Sequence, residues 1–150
     1  MIMDEAAEAL AKAEFFDICD DQQRGMLAFA GDLRRFAPDE VLYKSGDVPQ
    51  GAFVLISGTL KSLPDGGGKP SAISTPGSVV SAMALILSKP RPVTVSAVTE
   101  CDTLFVPRSA FLKLVQQSPD LAQRAVARIE RDLGNYLGAL EPIRRRMKGE

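Results

Sequence analysis

The sequence contains no histidine among its 150 residues. Without an imidazole, the chain has no histidine general base, proton shuttle or metal ligand. This absence excludes Ser-His-Asp and Cys-His catalysis, histidine-bearing zinc sites and haem with a proximal histidine. The carboxylates of Asp17, Asp20 and Asp21 are explained by capping at a helix start, and no nucleophile–base pair is visible. We therefore expect a protein that is not an enzyme and that holds no metal or cofactor.

Cysteine is also scarce, because the chain has only Cys19 and Cys101. Two cysteines cannot form a four-cysteine zinc site or a four-cysteine iron–sulfur site. A single long-range disulfide is one alternative. The interpretation that we favour is two partly buried thiols in a reducing compartment.

The sequence lacks long apolar runs and has no dominant charge. No stretch approaches the ~20 apolar residues of a membrane span. The N-terminal segment MIMDEAAEALAKAE carries acids, unlike a signal peptide. Lys and Arg number 18 against 19 Asp and Glu, which gives a net charge of −1. A surface that is basic throughout and binds nucleic acid is therefore not expected. These features predict a soluble, cytoplasmic protein that does not enter a membrane.

The hydrophobic pattern begins with helices. Apolar residues recur at helical spacing near the N-terminus, at Ala6, Leu10, Ala13 and Phe16. Asp20 and Gln23 have the spacing of a capping box, and Gly31 is well placed to end the helix that this box opens. We place the N-terminal helices at about residues 4–31 of a single domain that spans residues 1–150.

Short strands are predicted next, over about residues 33–107. Phe53–Ile56 is a nearly continuous apolar run, which is typical of a strand buried on both faces. Thr59–Leu63 alternates with a period of two, with Leu60 facing inward. Pro64–Pro70 is expected to be an exposed hairpin tip, and Pro92–Val106 to form two strands. Strands at this spacing, flanked by helices, predict an α+β fold with a small sandwich or roll.

Two helices are predicted to close the chain over about residues 108–140. The first is Arg108–Gln117. The second begins at Ser118-Pro119-Asp120, which combines a cap residue, a proline at the first helical position and an acid. Its apolar stripe consists of Leu121, Ala125, Ile129, Leu133, Tyr136 and Leu140. The basic tail, about residues 141–150, is expected to be solvated.

Several segments, taken in order along the chain, resemble the motifs of one family. These segments are Phe36–Leu42, Ser45–Asp47, Phe53–Leu60, Pro76–Ser78, Pro90–Ala97, Phe111–Leu112 and Ser118–Leu121. Together they resemble the cyclic-nucleotide-binding domain, the sensor module of Crp–Fnr regulators, kinase regulatory subunits and gated channels. The resemblance covers roughly residues 15–135. It implies an antiparallel β-roll (jelly-roll-like, a double-stranded β-helix), flanked by N-terminal helices and a long C-terminal helix.

The resemblance also implies a ligand and a mechanism. In the family, a short helix and an arginine hold a cyclic phosphate, and a glutamate binds the ribose 2′-OH. The long C-terminal helix covers the base, and in the Crp–Fnr branch it also forms the dimer interface. The resemblance thus implies a regulatory module that binds cAMP, cGMP or another small anion at Arg91, forms a homodimer and signals through the C-terminal helix. The implied ligand-binding positions are Gly77, Ser81, Ala82, Met83, Arg91, Pro92, Val93 and Tyr136. The implied dimer interface is the apolar stripe from Leu121 to Leu140.

This ligand-binding cassette departs from the family pattern at several positions. Ala82 stands where the ribose-binding glutamate is expected. The loss of such a hydrogen bond costs about 1.5–3 kcal/mol, or roughly a 10- to 150-fold loss of affinity. Pro92, which follows Arg91, has no N–H to donate to a phosphate. Val93 adds bulk where the family has alanine.

Other interpretations stay open. Ser81, which replaces a family glycine, could cap a short helix over residues 82–87. Arg91 could pair with Asp102 or another surface acid, and Tyr136 could be a core or interface aromatic rather than a base-stacking residue. The departures in the cassette also fit a ligand-free descendant that acts as a dimerisation or protein-interaction module. A DNA-binding role is not expected, because no helix-turn-helix domain follows the long helix.

Overall fold

The computed structural model describes residues 2–131, with side chains from residue 5 onward. The first helix, α1, covers Ile2–Lys12 and is followed by a 3-10 helix over Glu14–Ile18. The residues of the predicted helical pattern therefore do not all lie in one helix: α1 ends at Lys12, and Ala13 and Phe16 lie beyond its C-terminal end. Both residues are nevertheless buried in the core, as their spacing predicted.

The second helix, α2, covers Asp21–Ala30 and begins with the predicted capping box. The Asp20 side chain accepts from the Gln23 N–H at 2.7 Å, and the Gln23 side chain accepts from the Asp20 N–H at 2.9 Å. Gly31 ends the helix, and its N–H donates to the Leu27 carbonyl at 2.8 Å. The local sequence therefore fixes both ends of α2.

Eight strands follow within the described part of the chain. They are β1 (Asp32–Phe36), β2 (Val41–Tyr43), β3 (Gly51–Ser57), β4 (Leu60–Pro64), β5 (Ser71–Ile73), β6 (Val79–Val80), β7 (Val93–Ala97) and β8 (Cys101–Pro107). All pairings are antiparallel, and the strands form two sheets with the orders β1-β8-β3-β6 and β2-β7-β4-β5. This arrangement confirms the predicted β-roll.

The central strand β3 separates two hydrophobic cores. Val54 belongs to the core that the sheet shares with the helices, whereas Phe53 and Leu55 belong to the core inside the roll. All three are buried, which confirms that this apolar run is a strand covered on both faces. Leu60 is buried inside the roll, so the inward direction predicted for it is also confirmed.

Helices close the described part of the chain. The third helix, α3, covers Arg108–Gln117, and residues 119–131 are helical to the end of that part. Arg124 donates to the Ile18 carbonyl at 2.9 Å, and Arg128 donates to the Asp17 carboxylate at 2.8 Å. The last helix is thereby attached to the 3-10 helix near the N-terminus. None of the helices in the described residues is long and apolar enough to cross a membrane.

The apolar stripe of the last helix packs inward. Leu121, Ala125 and Ile129 are 0%, 0% and 7% exposed and belong to the core formed with the N-terminal helices. A dimer interface through these three residues therefore does not fit this structure, because the same chain already covers them. The other stripe residues, Leu133, Tyr136 and Leu140, lie outside the described residues.

Candidate functional site

The predicted cassette begins at Gly77, which holds a close backbone contact. Gly77 has a φ of +93°, and a Cβ atom at this position would lie 2.5 Å from the Lys12 carbonyl oxygen. Its N–H donates to the Leu55 carbonyl at 2.7 Å. Gly77 thus joins the start of the cassette to the end of α1 and to β3, so its visible role is structural.

Ser81 follows β6 and adopts a left-handed backbone conformation, with a φ of 59°. The family has a glycine at this position, which is the residue type that this conformation favours. The Ser81 hydroxyl donates to the Gly51 carbonyl at 3.2 Å and makes no cap hydrogen bond. The predicted capping role is therefore wrong. The helix that follows is a short 3-10 turn over Ala82–Leu85, rather than residues 82–87.

Arg91 is held by its backbone against the turn after β2. Its N–H donates to the Asp47 carbonyl at 3.0 Å, and its carbonyl accepts from the Gly46 N–H at 2.8 Å. Its side chain is half-buried, and Nη1 lies 3.5 Å from the Met83 sulfur. The Arg91 Nε is buried without a hydrogen-bond partner. The family arginine is therefore directed into the protein beside the cassette helix.

The alternative pairing of Arg91 with Asp102 does not occur. The Asp102 carboxylate accepts from the Arg35 Nε at 2.8 Å. Among the residues that the structure describes, no carboxylate forms an ion pair with Arg91. The guanidinium thus has no ion-pair partner among residues 2–131.

Tyr43 lies at the same place, which the sequence interpretation missed. It is 6% exposed, and burial raises the pKa of its phenol, while the positive charge of Arg91 acts in the opposite direction. Strand alternation would give Val41 and Tyr43 the same burial, but a register shift between them leaves Val41 exposed and Tyr43 buried. The irregularity explains why the period of the strand did not identify Tyr43.

The remaining predicted positions are dispersed. Met83 is half-buried against Arg91, and Ala82 is half-buried and lines a different cavity, of about 490 Å³, beside Lys12 and Arg128. Pro92 is exposed, and its carbonyl accepts from the Asp65 N–H at 2.9 Å. Val93 is half-buried at the start of β7. Tyr136 lies outside the described residues. The structure thus brings together Ser81, Met83 and Arg91, with Tyr43 as an unpredicted neighbour.

Arg108, the first residue of α3, contacts the far end of the cassette helix. Its Nη1 donates to the Ala84 carbonyl at 3.0 Å and to the Pro49 carbonyl at 2.9 Å. No ligand-binding motif includes this residue, and the sequence alone gave no signal for it. Arg108 connects the cassette to the helices that close the chain.

This arrangement has the chemistry of an anion site. A half-buried guanidinium that lacks a carboxylate partner attracts an anion more strongly than one in water, because the surrounding dielectric constant is lower. Within the described residues, no group of three or more His, Cys, Asp or Glu side chains could hold a metal ion.

Two rolled antiparallel sheets, a short cassette helix and closing helices define a β-roll sensor module. The sequence model of the cyclic nucleotide-binding domain matches residues 33–118, more than half of the chain, and the protein belongs to this family. A search of curated proteins found no match. The family is regulatory, and its fold is that of a ligand-sensing module.

Solved structures resemble the chain in fold. One is a Ruegeria pomeroyi protein provisionally described as cyclic nucleotide-binding, with 21% identity, a TM-score of 0.73, and coverage of 95% of this chain and 64% of that chain. Another is the Thermus thermophilus catabolite activator protein, with 20% identity, a TM-score of 0.71, and coverage of 86% of this chain and 62% of that chain. A third is the regulatory domain of Toxoplasma gondii PKA with cAMP, with 20% identity, a TM-score of 0.66, and coverage of 85% of this chain and 50% of that chain. The chain spans less than two thirds of each, and at this identity the likeness concerns the fold alone.

Proposed function

We propose that the protein is a regulatory module that binds cAMP, cGMP or another small anion at Arg91 and signals through its C-terminal helix. The observation that carries this proposal is the state of the Arg91 guanidinium. It is half-buried beside the cassette helix, and its Nε has no hydrogen-bond partner. A buried donor without a partner costs free energy, and an anionic ligand would remove that cost.

The changed cassette residues set the expected strength of binding. Ala82 offers no acceptor for a ribose hydroxyl, and Pro92 offers no N–H for a phosphate. We expect the affinity for cAMP to be roughly 10- to 150-fold below that of a cassette with the glutamate. An anion without a ribose would lose less affinity, because it has no ribose hydroxyl that needs the missing glutamate as an acceptor.

A route from the site to the closing helices is supported by contacts within the chain. The cassette helix carries Met83 at Arg91 and Ala84 at Arg108, so one short turn contacts both arginines. A ligand that moves Met83 would change the hydrogen bonds of Arg108 at the start of α3. The helix of residues 119–131 follows α3 directly and packs on the N-terminal region. Signalling would be a shift between two packings of these helices.

Isothermal titration calorimetry with cAMP, cGMP and inorganic phosphate tests the binding proposal. We expect saturable binding of at least one of them at millimolar concentration. Arg91→Gln should abolish it. The matched control is Arg35→Gln, which removes the same charge at an exposed ion pair with Asp102 and should leave binding unchanged. Binding of none of the three ligands, or binding that survives Arg91→Gln, would contradict the proposal.

A second candidate function is a ligand-free dimerisation module. The observation that favours it is an apolar groove of about 650 Å³ between α2 and α3, beside which Phe29 is 79% exposed. A large exposed aromatic at a groove is typical of an interaction surface. Light scattering of the full chain and of Phe29→Ser tests this candidate. It requires a dimer that Phe29→Ser converts to a monomer, and a monomeric wild type would exclude it.

A further inference from the structure

We propose that Met83 is an oxidation site: a peroxide converts its thioether to the sulfoxide, whose oxygen accepts a hydrogen bond from Arg91 and weakens anion binding there. The inference rests on the proposed function of Arg91 and adds a form of regulation to it. The oxidised module would bind its ligand more weakly, and reduction of the sulfoxide would restore binding.

The first argument is that the backbone holds both residues in place. The Met83 carbonyl accepts from the N–H groups of Ile86 at 3.1 Å and Leu87 at 2.9 Å, which closes the cassette turn. Arg91 is held through both of its backbone groups at the turn after β2. Its Nη1 donates to the Met83 sulfur at 3.5 Å, so this side-chain contact joins two anchored segments.

The second argument concerns the acceptor that the guanidinium lacks. A thioether sulfur is a weak acceptor, and the Arg91 Nε is buried without a partner. Oxidation converts the apolar thioether of Met83 into a polar sulfoxide, with an oxygen bonded to the sulfur that already contacts Arg91. This oxygen would give the guanidinium a strong acceptor from within the chain. A ligand anion would then have to displace it.

The third argument is that a peroxide can reach and oxidise this sulfur. Met83 is half-buried, so its side chain is not sealed from solvent. The sulfur attacks one oxygen of hydrogen peroxide, and an S–O bond forms as the O–O bond breaks. The leaving hydroxide takes the proton of the transferred oxygen and becomes water, so the sulfur is oxidised and the peroxide is reduced. Cys19 and Cys101 compete poorly for the peroxide, because they are 4% and 0% exposed.

Met26 provides a comparison within the same chain. It is 43% exposed and lines the apolar groove between α2 and α3. Peroxide should oxidise both methionines, but of these two sulfurs it is that of Met83 that contacts Arg91. Met83→Leu keeps an apolar side chain of similar size and removes the sulfur at Arg91. Met26→Leu is the matched control.

The test is calorimetric titration of the full chain with inorganic phosphate or cAMP, before and after treatment with hydrogen peroxide. Peptide mass spectrometry measures the oxygen gained at Met83 and at Met26. We expect oxidation to lower the affinity of the wild type and of Met26→Leu roughly 10-fold, since the anion must displace a hydrogen bond to a charged group. Met83→Leu treated in the same way should keep its affinity. A methionine sulfoxide reductase should restore the affinity of the oxidised wild type.

NMR of the arginine side-chain N–H groups tests the sulfoxide contact without any ligand. Comparison with Arg91→Lys assigns the Arg91 signals. Oxidation should shift these signals in the wild type, because their acceptor changes from a sulfur to a sulfoxide oxygen. The same treatment should leave them unchanged in Met83→Leu.

The outcomes separate this inference from the proposed function. Anion binding that depends on Arg91 but is unchanged when Met83 is oxidised would overturn the inference alone. A Met83 that stays reduced while Met26 is oxidised would do the same. If no form of the protein binds cAMP, cGMP or phosphate, the proposed function and its regulation are both overturned. The oxidation site at Arg91 is then upheld by a shift of the Arg91 signals and overturned by its absence.

Discussion

The Nη1 of Arg108 donates a hydrogen bond to the carbonyl oxygen of Ala84 at 3.0 Å. The bond joins the first residue of α3 to the cassette helix, and a second bond from the same nitrogen reaches Pro49 at 2.9 Å. Both the loop that precedes β3 and the cassette are thereby fixed to α3. Arg108 thus connects the cassette helix to α3.

Arg108→Ala should lower the free energy of unfolding by about 2–3 kcal/mol, because the carbonyl oxygens of Pro49, Ala84 and Leu87 lose a charged donor. Urea unfolding measures this loss. The control is Arg35→Ala, which removes an exposed, solvent-screened ion pair with Asp102 and should therefore lower the free energy of unfolding much less. Equal effects of the two substitutions would show that the Arg108 contacts are not important for stability.

Gly77→Ala should destabilise the protein by at least about 2 kcal/mol. The substitution combines a left-handed backbone with a Cβ atom 2.5 Å from the Lys12 carbonyl. Gly66→Ala is the matched control, because Gly66 has a φ of +81° with nothing within 4 Å, so it should cost only about 1 kcal/mol. Thermal unfolding of the two variants compares these costs. A Gly77→Ala variant as stable as Gly66→Ala would contradict the close contact with α1.

Asp39→Gly should raise the free energy of unfolding by up to about 1 kcal/mol, since Asp39 has a φ of 70° that glycine adopts with less strain. Ser81→Gly relieves similar strain at a φ of 59° but removes the hydroxyl bond to Gly51. We expect these two effects to cancel, so the unfolding midpoint of the Ser81→Gly variant in urea should be close to that of the wild type. A loss of stability in Asp39→Gly would refute this explanation of the turn.

Cys19 gives a pH dependence of stability. Burial raises the pKa of its thiol to about 11, from an ordinary value of 9.0. Between these values the unfolded chain loses the proton while the folded protein keeps it, so the stabilisation is complete below pH 9 and is lost as the pH rises toward 11. Urea unfolding across this range should show a smaller decline for Cys19→Ala than for the wild type. Parallel curves would contradict a buried, protonated thiol.

The sequence predicted those parts of the fold that local rules determine. The capping box at Asp20, the bounds of α3 and the burial of Leu60 follow from spacing and alternation over a few residues. The short strands β5 and β6 were not predicted, because Ser71–Ile73 and Val79–Val80 are too short to show a period. Their pairing with β4 and β3 is a property of the assembled sheets.

The candidate site was predicted only in part. Family motifs identified Arg91 and Met83, but not that the two side chains would contact each other. Tyr43 was missed because the irregularity in β2 breaks the alternation there. The inward packing of Leu121 was missed for a related reason: an apolar helical face shows that something covers it, but not whether that is the same chain or a second copy.

The most direct test of the central claim is a crystal structure of the full chain grown with millimolar cAMP or inorganic phosphate. The account predicts a phosphate group within hydrogen-bond distance of the Arg91 guanidinium, with Nε paired. A structure in which Arg91 still faces only Met83, with no anion beside it at millimolar ligand, would contradict the account.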